Sequence, residues 1–239
     1  MKIDLQKLNS LDTCFEIKPD KDYYVFLAKK DKVDFIYNTS ALEGNPMTYP
    51  EVQTLLEGIT VGGHKLSDEQ MILNQNKSVE LLFEMVQNRE FQLNKETMCK
   101  LHKKVAFEEA IYWGEFRDGN VNIGGTKYKP PHYKELDEIF KDGVKKIIQI
   151  KDPLVRALCI FLFGAKNQFF YDGNKRVSRL MANGVLLGSG YPALNIKVKD
   201  RLEFNTKMIE FYDGDNCIDT LLYLVEYYKK QNIDLIRRD

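Results

Sequence analysis

Residues 161–191 read Phe-Leu-Phe-Gly-Ala-Lys-Asn-Gln-Phe-Phe-Tyr-Asp-Gly-Asn-Lys-Arg-Val-Ser-Arg-Leu-Met-Ala-Asn-Gly-Val-Leu-Leu-Gly-Ser-Gly-Tyr, and this stretch decides how the chain is read. An apolar helical segment runs in, and Asp172-Gly173-Asn174 signals a turn. A second helix runs out, with Val177, Leu180, Met181 and Val185 at helical spacing. A helix N-terminus presents unpaired backbone N–H groups and the positive end of the helix dipole. Gly173 lets the backbone come close to a ligand, and Lys175, Arg176 and Arg179 add positive charge. Together they suit an anion, most naturally a phosphate, and Asp172 could hold a Mg²⁺ that bridges phosphate oxygens. On composition alone, a capped helix with a solvated basic first turn is the simpler reading.

Upstream, Asp152 and Pro153 mark the N-cap and first position of a helix. Its Leu154, Ala157, Leu158, Phe161, Leu162 and Ala165 share one face, which predicts a buried central helix. Downstream, Gly190-Tyr191-Pro192 ends the helix that follows the turn, and Ile218, Leu221, Leu222 and Val225 stripe a last one. Near the N-terminus a helix is expected to end at Glu43, because Gly44-Asn45-Pro46 cannot continue it. Thr48 and Glu51 then form a capping box, and Ser67 with Gln70 a second one. Residues 22–28 read as helix or strand. His64 reads as an exposed loop residue, and His102 as structural or surface rather than a base.

Residues 113–131 break the helical pattern. Val121 and Ile123 alternate with polar neighbours, and Gly124-Gly125 is a hairpin signal. The expectation is an all-α protein with one short β-hairpin flap, its edge suited to pairing with an extended peptide.

The chain has 239 residues, 44% hydrophobic and 29% charged, with 35 basic and 35 acidic side chains. Zero net charge argues against a general nucleic-acid or membrane-surface role. No apolar run is long enough to span a bilayer, and the opening Met-Lys-Ile-Asp-Leu-Gln-Lys carries no signal-peptide core. Cys14, Cys99, Cys159 and Cys217 are scattered. They read as free thiols, so a cytoplasmic location is expected. The three histidines lie far apart, which disfavours a zinc site.

The stretch from Gln168 to Arg179 resembles the signature of Fic (Fido-domain) proteins, His-x-Phe-x-(Asp/Glu)-Gly-Asn-(Gly/Lys)-Arg-x-x-Arg. Phe170, Asp172, Gly173, Asn174, Lys175, Arg176 and Arg179 match, and Gln168 stands where the family has its catalytic His. Thr39, Glu43 and Gly44 are similar to the family's inhibitory helix, (Ser/Thr)-x-x-x-Glu-(Gly/Asn). Gly114, Arg117, Val121, Ile123, Gly125, Tyr128, Pro130 and Pro131 follow its flap. The resemblance covers about residues 34–230, with the three motifs in family order.

The resemblance implies a mainly helical Fic fold: an N-terminal extension over residues 1–58, bearing the inhibitory helix, and a Fic core over residues 59–239. It implies protein adenylylation, in which AMP passes from ATP to a Tyr, Thr or Ser hydroxyl of a target protein. Asp172 would hold Mg²⁺. Asn174 and amides near Gly173 would meet the α-phosphate, with Arg176 and Arg179 on the β- and γ-phosphates beside Lys175. Val121, Ile123 and Gly125 would align the target, and Glu43 would pair with Arg179 and block the γ-phosphate. The family also includes homodimers. Gln168 cannot act as the base, because an amide has no useful pKa near neutrality. Three readings stay open: an enzyme with weak or redirected transfer, a nucleotide-binding pseudoenzyme acting through its flap, and a helical domain without nucleotide function.

Overall fold

The computed structural model describes residues 3–11, 13, 17–214 and 217–236; Cys14, one of the expected free thiols, lies outside them. Twelve α-helices follow one another among these residues. They are α1 Leu5–Asn9, α2 Lys21–Lys30, α3 Lys32–Leu42, α4 Tyr49–Leu56, α5 Leu66–Gln87, α6 Lys95–Val105, α7 Leu136–Ile147, α8 Pro153–Asn167, α9 Asn174–Gly188, α10 Arg201–Asp213, α11 Ile218–Gln231 and α12 Ile233–Ile236. Residues 22–28 are thus helical, within α2.

The centre is α8, where every residue from Ala157 to Asn167 is buried. Asp152 Oδ1 caps it by accepting from Leu154 and Val155 N–H at 2.7 and 3.2 Å. Its most extensive partner is α9; α7 and α11 also pack on it, α5 and α6 pair with each other, and both touch α9. Gly164 lets α8 and α9 approach closely, since a Cβ there would lie 2.1 Å from Ser178 Oγ. One hydrophobic core runs from Leu8 to Tyr228. A cluster of rings anchors the chain where it leaves α8: Phe169 is fully buried, with centroids 4.8 Å from Phe116, 5.1 Å from Phe140 and 5.4 Å from Phe163. Such ring pairs contribute roughly 0.5–1.5 kcal/mol each beyond area burial.

The helix leading to Glu43 ends as the sequence predicts, with Glu43 as C-cap of α3 and Gly44 at φ 93°. α3 buries Phe35, Ile36, Thr39, Ser40 and Leu42 and is seated on α5. Asn38 Oδ1 accepts from Val198 N–H at 2.9 Å, and Asp34 accepts from Asn195 Nδ2 at 2.6 Å. At the next helix, Glu51 Oε2 accepts from both Thr48 N–H and Thr48 O–H at 2.7 Å. Two local expectations shift. The box expected at Ser67 and Gln70 is replaced by Asp68 accepting from Lys65 N–H at 3.2 Å, and Gln70 instead donates to Asn74 at 2.8 Å. His64 is half-buried, 3.1 Å from Glu51.

The expected β-hairpin is absent: no strand occurs among the described residues. Gly124-Gly125 does turn, with Gly125 at φ 81°, but the flanking segments do not zip together. Two backbone donors that a ladder would use are taken by side chains. Lys127 N–H donates to Asp213 at 3.1 Å and Tyr128 N–H to Thr126 Oγ1 at 3.0 Å, while Thr126 Oγ1 itself donates to Asp213. Arg117, only 2% exposed, gathers both ends of the segment, donating to the Gly119 and Pro131 carbonyls at 2.6 Å each. A lone two-stranded ribbon is marginal in water, and here anchoring to α10 and Arg117 replaces it.

Candidate active site

The signature turn is built on unusual backbone. Gln168 closes α8 in the left-handed region, φ 50° and ψ 63°. Five residues later Gly173 takes φ 70° and opens α9 with no side-chain cap on the helix. A side chain at Gly173 would meet Val105 Cγ1 at 3.1 Å. The uncapped start of α9 leaves first-turn N–H groups available to an anion.

Asn174 holds the turn from inside. Its Oδ1 accepts from Phe170 N–H at 2.9 Å, and its Nδ2 donates to the Phe170 carbonyl at 2.8 Å and to Gln168 Oε1 at 3.0 Å. With the side chain so committed and only 4% exposed, Asn174 shapes the loop. Gln168 Nε2 donates to the Ala165 carbonyl at 2.6 Å, and the Gln168 carbonyl accepts from Arg117 Nε at 2.6 Å. Arg117 N–H also donates to the Phe169 carbonyl at 2.9 Å. The residue at the family's His position is therefore wired into the loop by both ends of its amide.

Three cations of the signature meet three carboxylates. Arg179, 2% exposed, donates from Nη2 to Glu43 Oε1 at 2.6 Å. Lys175 Nζ lies 3.0 Å from Glu43 Oε2. Burial alone would raise the Glu43 carboxyl, but Arg179, then Lys175 and Arg176, outweigh it and bring it down to about 2. Arg179 Nε and Nη1 are buried without a hydrogen-bond partner. Glu43 thus engages one arm of a guanidinium whose other donors stand unmet. Arg176 points elsewhere: Nη1 donates to Glu109 Oε2 at 2.8 Å and the Val105 carbonyl at 3.2 Å, and Nη2 is 3.8 Å from Asp172 Oδ2. Glu109 also accepts from Asn74 Nδ2 at 2.8 Å, tying the pair to α5.

Asp172 is exposed, and its Oδ1 accepts from Gly173 N–H at 2.6 Å. One exposed carboxylate at the uncapped start of α9 would suit Mg²⁺, which keeps several waters and takes one or two carboxylates plus substrate phosphates. Val121 and Ile123 are half-buried and Gly125 exposed on the segment that Arg117 clamps, so the clamp links that segment to Gln168.

Two side chains that organise the site carried no functional signal in the sequence. Glu109, partner of Arg176, follows an irregular turn after α6. His102 was read only as structural or surface, and it is fully buried. Gly114 N–H donates to its Nδ1 at 3.0 Å, so Nε2 carries the proton and donates to the Asp172 carbonyl at 2.9 Å. Its ring stacks on Phe170, centroids 3.6 Å apart and 8° between planes. Burial lowers the His102 pKa to about 4 against the help of the Asp172 carbonyl, so the ring is neutral near pH 7. Its position on a helix with apolar neighbours was the one cue to its burial.

Residues 92–186, which span α6, the clamped segment and the signature, match the Fic/DOC family model. The Aedes aegypti "Protein adenylyltransferase Fic" is 25% identical over 194 residues, covering 78% of this chain and 38% of the relative. The Drosophila willistoni relative of the same name is 28% identical over 185 residues, 74% of this chain and 36% of its own length. This chain spans about two fifths of the length of such relatives. A Fic-domain-containing signaling protein from Bacteroides thetaiotaomicron superposes with a TM-score of 0.74 at 22% identity, covering 97% of this chain and 92% of that one. Fic-1 from C. elegans gives 0.77 at 18% identity, covering 97% and 68%. The two structures share the fold, and the segment that builds the turn, residues 92–186, is the part that matches the Fic/DOC family.

Proposed function

We propose that this chain is an autoinhibited Fic-type protein adenylyltransferase module, with residues 1–58 as inhibitory extension and residues 59–239 as core. The observation that carries the reading is Glu43. A carboxylate already lies between Lys175 and Arg179, beside the uncapped start of α9, as a phosphate would. Relatives named protein adenylyltransferase support ATP as the nucleotide.

In this reading ATP lays its phosphates along the Gly173 turn and the first amides of α9. Arg179 and Lys175 are released from Glu43 to meet the outer phosphates. Arg176 stays with Glu109 and holds the turn against α6. Asn174 keeps the turn's shape. Mg²⁺ at Asp172 would neutralise phosphate charge as it develops. A Ser, Thr or Tyr hydroxyl of the target, aligned by the extended segment at Val121, Ile123 and Gly125, attacks the α-phosphorus. The new bond joins the hydroxyl oxygen to that phosphorus, the bond to the β-phosphate oxygen breaks, and pyrophosphate leaves. The hydroxyl proton passes to solvent because the Gln168 amide cannot take it, and loss of a general base lowers such rates by about 10²–10⁴-fold.

One observation favours a second reading. Both ends of the Gln168 amide serve the loop, which suits a nucleotide-binding protein that has given up transfer. The Glu43→Gly chain, incubated with a cell lysate and ATP labelled at either the α- or the γ-phosphate, separates the two. Protein labelled from the α-position supports adenylylation. Nucleotide binding without label supports the pseudoenzyme. Failure to bind Mg·ATP at all sinks both.

A further inference from the structure

Two stretches far apart in sequence are joined where α8 gives way to the Gly173 turn. Arg117 N–H donates to the Phe169 carbonyl at 2.9 Å. The Tyr171 hydroxyl donates to Asp118 Oδ1 at 2.6 Å. That approach needs a glycine beside it, since a Cβ at Gly119 would lie 2.6 Å from the Tyr171 oxygen. Residues 117–119 therefore lie against residues 168–171. Arg117 then spends its side chain on three carbonyls: Nε on Gln168, Nη1 on Gly119 and Nη2 on Pro131, each at 2.6 Å.

No carboxylate pairs with this guanidinium among the described residues. A buried charge is costly unless its hydrogen bonds are met. Neutral carbonyls meet them here, and they come from three separate places in the backbone. A planar fork of fixed donors suits such a set, whereas a lysine ends in one ammonium on a flexible stem. Two of the arms close the ends of the segment that carries Val121, Ile123 and Gly125. The third holds residue 168, the position that would face the reacting hydroxyl in the proposed transfer. One side chain thus fixes how the segment and residue 168 stand relative to each other.

We propose that Arg117 is a positioning residue for AMP transfer. It sets the register between the target-aligning segment and residue 168, and so where the acceptor hydroxyl stands relative to the α-phosphorus; this rests on the adenylyltransferase reading. Each nitrogen of the guanidinium already holds a carbonyl, so Arg117 acts through the backbone and not on the phosphates. Its loss slows transfer and leaves nucleotide binding alone. Displacing reacting groups by about 1 Å costs on the order of 10²-fold in rate.

The test is made in the full Glu43→Gly, Gln168→His chain, incubated with lysate and Mg·ATP labelled at the α-phosphate. The rate of AMP adduct formation is followed against ATP concentration, and urea midpoints show whether each chain is folded. Arg117→Lys and Arg117→Gln are compared with Tyr171→Phe, which loosens the same junction without touching the fork. The expected result for both Arg117 variants is a maximal rate roughly tenfold to a hundredfold lower, with half-saturating Mg·ATP unchanged within about twofold. The Tyr171→Phe chain should stay within about threefold of its parent on both counts. Arg117 variants with maximal rates within about threefold of the parent, an equal loss in Tyr171→Phe, or a loss of ATP affinity that matches the loss of rate would each overturn the assignment. Failure of both Arg117 variants to fold would overturn it too, because the residue would then be structural only. A parent chain that binds Mg·ATP and yields no adduct refutes the adenylyltransferase reading itself, and the assignment falls with it.

Discussion

Replacing Glu43 by Gln keeps the side chain's shape and removes the charge that Arg179 and Lys175 share. The folded carboxyl sits at about 2 against an ordinary 4.5, a gap that corresponds to roughly 3 kcal/mol at about 1.4 kcal/mol per unit. Because the folded value is the lower one, this stabilisation is fully present above pH 4.5 and is lost as pH falls toward 2. Glu43→Gln should therefore lower the unfolding free energy at pH 7 by roughly 3 kcal/mol, in line with the cost of leaving one member of a buried pair uncompensated. The same exchange frees Arg179 and Lys175. Mg·ATP no longer has to break the latch, so its affinity should rise by up to about a hundredfold, the upper bound set by that energy at about 1.4 kcal/mol per decade. Urea unfolding at pH 7 reads the first effect. Calorimetric titration with Mg·ATP reads the second, and adenosine, which lacks phosphates, should gain nothing. A Glu43→Gln chain as stable as its parent, or with ATP affinity unchanged within twofold, would refute the reasoning.

The His102 ring adds a pH dependence in a different window. Its folded pKa of about 4 lies below the ordinary 6.5, so the unfolded chain takes up the proton first. Stability from this group is complete above pH 6.5 and falls between there and pH 4 by roughly 3 kcal/mol. Urea midpoints from pH 7.5 down to pH 4.5 should slope accordingly, and His102→Gln should flatten that slope. Arg176→Ala leaves Glu109 buried without its partner and should cost about 3–5 kcal/mol; a loss under about 1 kcal/mol by the same assay would mean the pair is solvated. Gly164→Ala drives a Cβ to 2.1 Å from Ser178 Oγ. It should destabilise by about 1–3 kcal/mol through overpacking, seen as a lowered thermal midpoint.

The parts written in local sequence were the legible ones. Asp152-Pro153 set the start of α8, Gly44-Asn45-Pro46 the end of α3, and Thr48 with Glu51 the start of α4. The Glu43–Arg179 contact spans 136 residues of sequence, and only the paired motifs of the family made it visible. What failed was decided by tertiary partners. The Gly124-Gly125 turn formed, but Asp213, from a helix much later in the chain, took the Lys127 amide, Thr126 took that of Tyr128, and no ladder followed. Local spacing also gave no sign of Glu109 as the partner of Arg176, 67 residues away in sequence. Nor did it show that the Asn174 side chain bonds both the N–H and the carbonyl of Phe170. Ser67 lost its cap to Asp68 because the helix begins earlier, at Leu66. Each of these is a choice between acceptors, and spacing along the chain does not rank them.

The central claim is that the transfer machinery is assembled, latched by Glu43 and short of its base at Gln168. The measurement that tests it most directly is intact-protein mass after incubation with Mg·ATP, with lysate proteins followed in parallel. It compares the Glu43→Gly chain with the Glu43→Gly, Gln168→His chain. The account predicts an AMP adduct, on the chain itself or on a lysate protein, that forms at least about 10²-fold faster with histidine restored. Equal rates for the two chains, or no adduct from the restored chain although it binds Mg·ATP, would contradict it.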